Sequence, residues 1–201
     1  MNTETETHHD FTNLQKFSTL SAADLLAQEG IRLQTEVLIE PEVTIPDLLA
    51  ALRGKNAAMD RLRIIAHALP RREAVWLSCL AAREMLPEGA KVPEPLAAAE
   101  AWVFKPSDAT RNAAEKAANE AAPRDLTAFC ASAAVFGDGK MGTGELAKHP
   151  APAGALGTLV WNVLLKAMLF DPPKMAEAGD RLIARGLDIA RGGNGRLKDA
   201  T

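Results

Sequence analysis

Residues 137–144 read GDGKMGTG, and their first six match G-x-G-x-x-G, the spacing that lets a backbone approach a dinucleotide pyrophosphate. That chemistry needs a strand before the glycines and a helix after them, because the helix N-terminus supplies the N–H groups that hold the phosphates. Here an alanine-rich helical pattern precedes the glycines, and ELAKHPAPAG follows, where prolines and a glycine stop a long helix from starting. The spacing G-x-x-x-x-G-K-[ST] is absent as well. The segment therefore reads as a flexible connector in which Gly139 has no fixed geometry, and no nucleotide cofactor is expected. Whether the loops 87–95 and 137–153 close over a partner is left open by their residues.

Metal chemistry and nucleophilic chemistry are the next possibilities. His8, His9, His67 and His149, with Cys79 and Cys130, are the imidazoles and thiols of the chain. None shows the C-x-x-C or H-x-x-x-H spacing that prearranges zinc ligands, so no metal is expected. A Cys79–His67 pair would make a thiolate nucleophile. Cys79, however, falls among Trp and Leu residues that raise a thiol's pKa instead of activating it. His67 reads as a structural histidine on the polar edge of its helix, and a pocket near His67 and Cys79 is kept as the enzymatic alternative. Glu73, Glu84 and Glu100 read as solvated helix charges. Trp76, Trp102 and Trp161 each fall on an apolar helical face and read as core anchors whose indole N–H needs one partner.

Arg71, Arg72 and Arg83 share one helix, and the first two occupy its first turn, where positive charge opposes the macrodipole. They form either a solvated edge or a patch that holds an acidic partner; as candidate partner-binding residues they are the best the sequence offers.

The elements that would position these groups are helical. The chain has 201 residues, 47% of them hydrophobic, only 4% aromatic and none tyrosine, with alanine filling the gap. Alanine favours helices and is depleted in strands, so an all-α fold is expected. The formal charge of −3 gives no global pull toward nucleic acid or an anionic membrane. The start MNTETETHHDFTN lacks the basic and apolar regions of a signal peptide, and the most apolar run, residues 153–170, is broken by Thr158, Asn162 and Lys166. A cytoplasmic protein without membrane insertion is expected.

Residues 1–17 read as a disordered tail, 18–191 as one helical domain and 192–201 as a flexible tail. Ser21 caps a first helix that Gly30 stops, and Pro46 opens a second that Gly54 ends. Met59, Leu62, Ile65 or Ala66, and Leu69 mark a third. Pro70 then starts a fourth with a stripe of Val75, Cys79, Ala82 and Leu86, and the two together suggest an αα-hairpin at the heart of the fold. Leu96, Ala99, Trp102 and Val103 mark the next, which Lys105-Pro106 ends. Ser107 caps a helix whose inward face reads as Ala109, Ala113, Ala117 and Ala121. Leu126, Phe129, Cys130 and Ala133 face inward on another, and two more helices follow. The expectation is an irregular bundle of eight or nine short helices built from antiparallel hairpins.

The stretches PRREAVWLSCLAAR (70–83) and AAAEAWVFKPSDATRNAAEKAA (97–118) resemble an uncharacterised proteobacterial family whose helices read roughly P-R-E-A-V-W-x-x-C-L-A-A-R and A-x-x-W-V-x-x-P-S-x-x-x-R-x-A-A. The likeness covers about residues 20–170. Genes of that family often lie near type VI secretion loci, which implies a non-catalytic accessory, adaptor or chaperone-like role, with a secretion effector or its adaptor as partner. The resemblance carries over no catalytic residue. It implies framework positions at Pro70, Arg72, Glu73, Trp76, Cys79, Arg83, Trp102, Pro106 and Arg111, to which Trp161 is added from its apolar setting. The loop after residue 137 is less proline-rich than the family's. A second likeness, resting on shared composition, is to helical immunity proteins of polymorphic toxins, and implies a toxin as partner.

Overall fold

A computed structural model describes residues 11–197. Ser21 accepts a hydrogen bond from the Asp24 N–H and starts α1 (Ala22–Gln28). Thr44 and Asp47 cap each other's backbone at the start of α2 (Ile45–Gly54), with Pro46 in its first turn. The irregular stretch between them is tied down by Asp60, a buried carboxylate that accepts from the N–H groups of Gln34 at 3.0 Å and Thr35 at 2.8 Å. Asp60 lies on α3 (Ala58–Ala68), which is followed by α4 (Arg71–Glu84) and α5 (Glu94–Phe104). A second capping box, Ser107 with Thr110, opens α6 (Asp108–Glu120). Then come α7 (Thr127–Val135), α8 (Ala155–Met168) and α9 (Met175–Ala190). The described residues thus hold nine α-helices and no strand, apart from one isolated bridge between Lys140 and Pro150. The protein is all-α, as its composition requires.

The apolar α8 is the axis. Val160, Val163, Leu164 and Met168 are buried on it, and α3, α4, α7 and α9 pack around it. The expected hairpin of α3 on α4 is corrected by this arrangement. Leu69 and Pro70 are both extended, with ψ of 148° and 147°, so the chain turns away at the joint. The two helices meet little and instead pack separately on α8. A second group, α5, α6 and α7, packs together and joins the axis through α4 and α7.

Other expectations change for local reasons. On α6 the inward residues are Arg111, Ala114 and Ala117, whereas Ala109 and Ala113 face solvent. Arg111 is 3% exposed and binds the carboxylates of Asp108, at 3.0 Å, and Asp138, fixing α6 to the turn after α7. Met59 and Phe129 are also turned outward.

The glycine-rich segment is no loose connector. The Ala151 N–H donates to the Gly139 carbonyl and the Met141 N–H to the His149 carbonyl, both at 2.9 Å, while Thr143 bonds Glu115 on α6. Gly139 has φ +82° beside the Arg71 guanidinium. Residues 11–17 and 192–197, read as parts of the tails, are tied to the helical body by hydrogen bonds. Phe17 is buried and the Lys16 N–H donates to the Ala190 carbonyl at 2.9 Å. Asp188 accepts from the Gly193 N–H on its carbonyl at 2.9 Å and from the Gly195 N–H on its carboxylate at 2.8 Å. The remainder of both predicted tails, and with it His8 and His9, lies outside the described residues.

Candidate functional site

The first two turns of α4 place Arg72, Glu73 and Trp76 on one side of the helix. There they face the C-terminal end of α5 and the segment after α9. Arg72 opposes the dipole of its own helix but serves another. Its Nε donates to the Val103 carbonyl at 2.6 Å, one of the carbonyls that the end of α5 leaves without a helical partner. Glu73 is not a solvated charge; it pairs with Lys16 at 3.1 Å and ties the N-terminal segment to α4.

Trp76 is half-buried, so the expectation of a core anchor is corrected. Its indole N–H donates to the Asn194 carbonyl at 2.7 Å, across 118 positions of sequence. The ring of Phe104 lies 5.5 Å away at a 60° tilt, within the favourable range for aromatic pairs, and the Arg196 guanidinium stands 5.6 Å from the Trp76 centroid. Phe104 is itself 65% exposed. Lys16, Arg72, Glu73, Trp76, Val103, Phe104, Ile189 and the 193–196 segment enclose an open cavity of about 460 Å³, a volume in the range of ligand-holding clefts.

The remaining predicted residues are scattered. Arg83 is turned to Glu100, a carboxylate only 8% exposed, with Nη2 donating to Oε2 at 2.7 Å. Glu100 in turn pushes the Arg83 pKa up. Glu84, also read as solvated, holds Arg181 at 3.0 Å and Arg185 at 2.7 Å and so joins α4 to α9. Arg71 lies beside Gly139 and lines a different, small cavity. The three arginines therefore do not form one face, and only Arg72 reaches the cleft. Pro70 is the residue before α4, and Trp102 is buried against Gly137.

His67 and Cys79 are not brought together. The buried His67 ring places Nδ1 3.1 Å from a Glu29 carboxylate oxygen, between cavities of about 110 and 220 Å³. Trp161 lines the larger of these, with Arg63 over its ring at 3.7 Å and its buried indole N–H without a partner. Cys79 has Cys130, Ser78 and Glu100 for neighbours, and its thiol is pushed well up by the Cys130 contact and then by burial. Both cysteines are free and buried. Among the described residues no group of three or more His, Cys, Asp and Glu side chains is placed to hold a metal, and no helix is long and apolar enough to cross a membrane.

Sequence reasoning missed Lys16, Phe104, Asn194 and Arg196. Phe104 had a signal. Trp102 and Val103 point inward, so the next residue, rotated by about 100°, is an aromatic side chain facing out at a helix end. Asn194 and Arg196 had none, because only the folded chain brings them to Trp76. No curated protein and no solved structure gives a significant match to this chain. A family profile does match residues 48–190, a span that holds α3 to α9 and the floor of the cleft from Arg72 to Ile189, and by that match the chain belongs to the family of unknown function DUF6931.

Proposed function

We propose that the protein is a non-catalytic binding protein that holds another protein at the Trp76–Phe104 cleft. The observation that carries this reading is the exposed Phe104 ring, paired with Trp76 at the mouth of a cavity rimmed by arginines. Large aromatics and arginine are the residue types enriched at protein interfaces. The amine and the carboxylate that line this cavity, Lys16 and Glu73, are paired with each other at 3.1 Å. The likeness to a proteobacterial family encoded near type VI secretion genes gives the setting: a cytoplasmic accessory or adaptor that receives an effector or its adaptor. An immunity protein holding a single toxin is the alternative within the same class.

Affinity purification from the native host, with wild type and Phe104→Glu side by side, tests the proposal. A secretion effector or its adaptor retained by wild type and lost from a Phe104→Glu chain of unchanged melting temperature is the expected result. Retention of a single toxin instead would assign the immunity role, and undiminished retention by Phe104→Glu would overturn the cleft. The His67–Glu29 pair, set between two cavities, favours a second reading as a small enzyme. That reading requires a turnover abolished by His67→Gln and untouched by Phe104→Glu.

A further inference from the structure

We infer that the occupant of the cleft is an acidic segment of the partner protein, seating one large apolar side chain against Phe104 and Trp76 with flanking carboxylates on Arg72 and Arg196. The inference rests on the binding role proposed above and adds the chemistry of what is bound.

The cleft differs in charge from the molecule that carries it. Its lining has three cations, Lys16, Arg72 and Arg196, against one carboxylate, Glu73, in a chain whose formal charge is −3. Glu73 is already committed to Lys16. Arg72 gives only its Nε to Val103, and neither Arg72 nor Arg196 makes an ion pair among the described residues. Two guanidiniums thus remain available beside an aromatic pair, and a guanidinium presents parallel N–H groups that match a carboxylate. Arg72 is held by the end of α5 and Arg196 by the face of Trp76, so both are oriented before anything binds, which lowers the entropy cost of binding. The 460 Å³ cavity is open to solvent between them, and the 65% exposed Phe104 ring supplies its uncovered apolar wall. An apolar side chain with acidic neighbours satisfies both demands at once. A nucleic acid satisfies them poorly: its strand carries a phosphate at every nucleotide, while the cleft offers three cations and one stacking pair on an acidic protein.

The test is selection of random phage-displayed peptides on the full chain, with counter-selection on Phe104→Ala, whose exposed ring is removable without unfolding. Recovered peptides are expected to carry Asp or Glu on both sides of one large apolar residue. A fluorescein-labelled representative should bind about tenfold more weakly to Arg196→Gln and lose affinity as salt rises. Arg196→Gln is the decisive variant because Arg196 holds no ion pair in the fold, and an unchanged melt confirms that the protein is intact. Phe104-dependent peptides without an acidic bias, or with affinity indifferent to Arg196→Gln, would overturn the acidic partner and leave the binding role standing. Absence of any Phe104-dependent peptide would overturn both, and Arg196-dependent capture of a fluorescein-labelled oligothymidylate would replace the protein partner with a nucleic acid.

Discussion

A methyl group added to Gly139 would lie 2.7 Å from an Arg71 nitrogen, at a backbone φ of +82°. The arginine end can swing away, but the left-handed backbone remains costly for any residue with a side chain. Gly139→Ala is therefore expected to lower stability by about 1–2 kcal/mol. At Gly137 the added carbon would lie 2.2 Å from the ring of Trp102, which is 4% exposed and has nowhere to retreat. Gly137→Ala should cost about 3 kcal/mol, the upper end of ordinary overpacking. Urea titrations check the order, and two near-zero values would return the segment to a loose connector. Cys79 gives a prediction in pH. Its thiol pKa is raised in the folded protein, by the Cys130 contact first and burial second, so the folded state keeps a proton that the unfolded state releases. The stability this supplies is complete below the unfolded thiol value of about 8.5 and declines as pH rises above it, by up to about 1.4 kcal/mol per pH unit. Cys79→Ala should flatten that decline in urea titrations between neutral and alkaline pH. The chain has no tyrosine to add a competing phenol ionisation. Equal slopes for the two proteins would show that the thiol is not the source.

Helix ends are where local sequence speaks most directly. Ser21 and Ser107 mark the starts of α1 and α6 because a side-chain oxygen needs to reach only three residues along the chain. Ser107→Ala is expected to cost about 1 kcal/mol, measurable as a lower urea midpoint at constant slope. A change within error would mean that the neighbouring Thr110 hydroxyl carries the cap alone. Faces are less legible than ends. Alanine recurs so often along α6 that several stripes fit equally, and the choice falls to Arg111, whose long stem is buried while its head reaches Asp138. The apolar stripes on α3 and α4 suggest that the two helices pair. The extended backbone at Leu69 and Pro70 sends them apart, and it is the breadth of the apolar surface on α8 that draws each to the axis. The carboxylates on α4 and α5 misled for a similar reason. Glu84 and Glu100 look like surface charges until α9 and α4 supply the arginines opposite them.

At the scale of the whole molecule, the cleft joins three stretches remote in sequence: Lys16, the α4–α5 pair, and residues 189–196. That distance is why its rim could not be read from periodicity. Deleting residues 192–201 removes the Asn194 carbonyl from the Trp76 indole and the Gly195 carbonyl from Arg185, which donates to it at 2.6 Å. The shortened chain should keep its helical circular dichroism, emit at longer wavelength, and show one tryptophan newly quenched by acrylamide. Unchanged emission would mean that Trp76 is sheltered by other means. The matched family span of residues 48–190 contains the aromatic pair and Arg72, while Lys16, Asn194 and Arg196 lie outside it. The two parts of the cleft are anchored differently: Trp76 stands on a helix packed into the core, whereas Arg196 is an exposed residue of the segment after α9. A change at Arg196 is therefore expected to reshape the mouth of the cleft while the helical frame keeps its stability to within about half a kcal/mol.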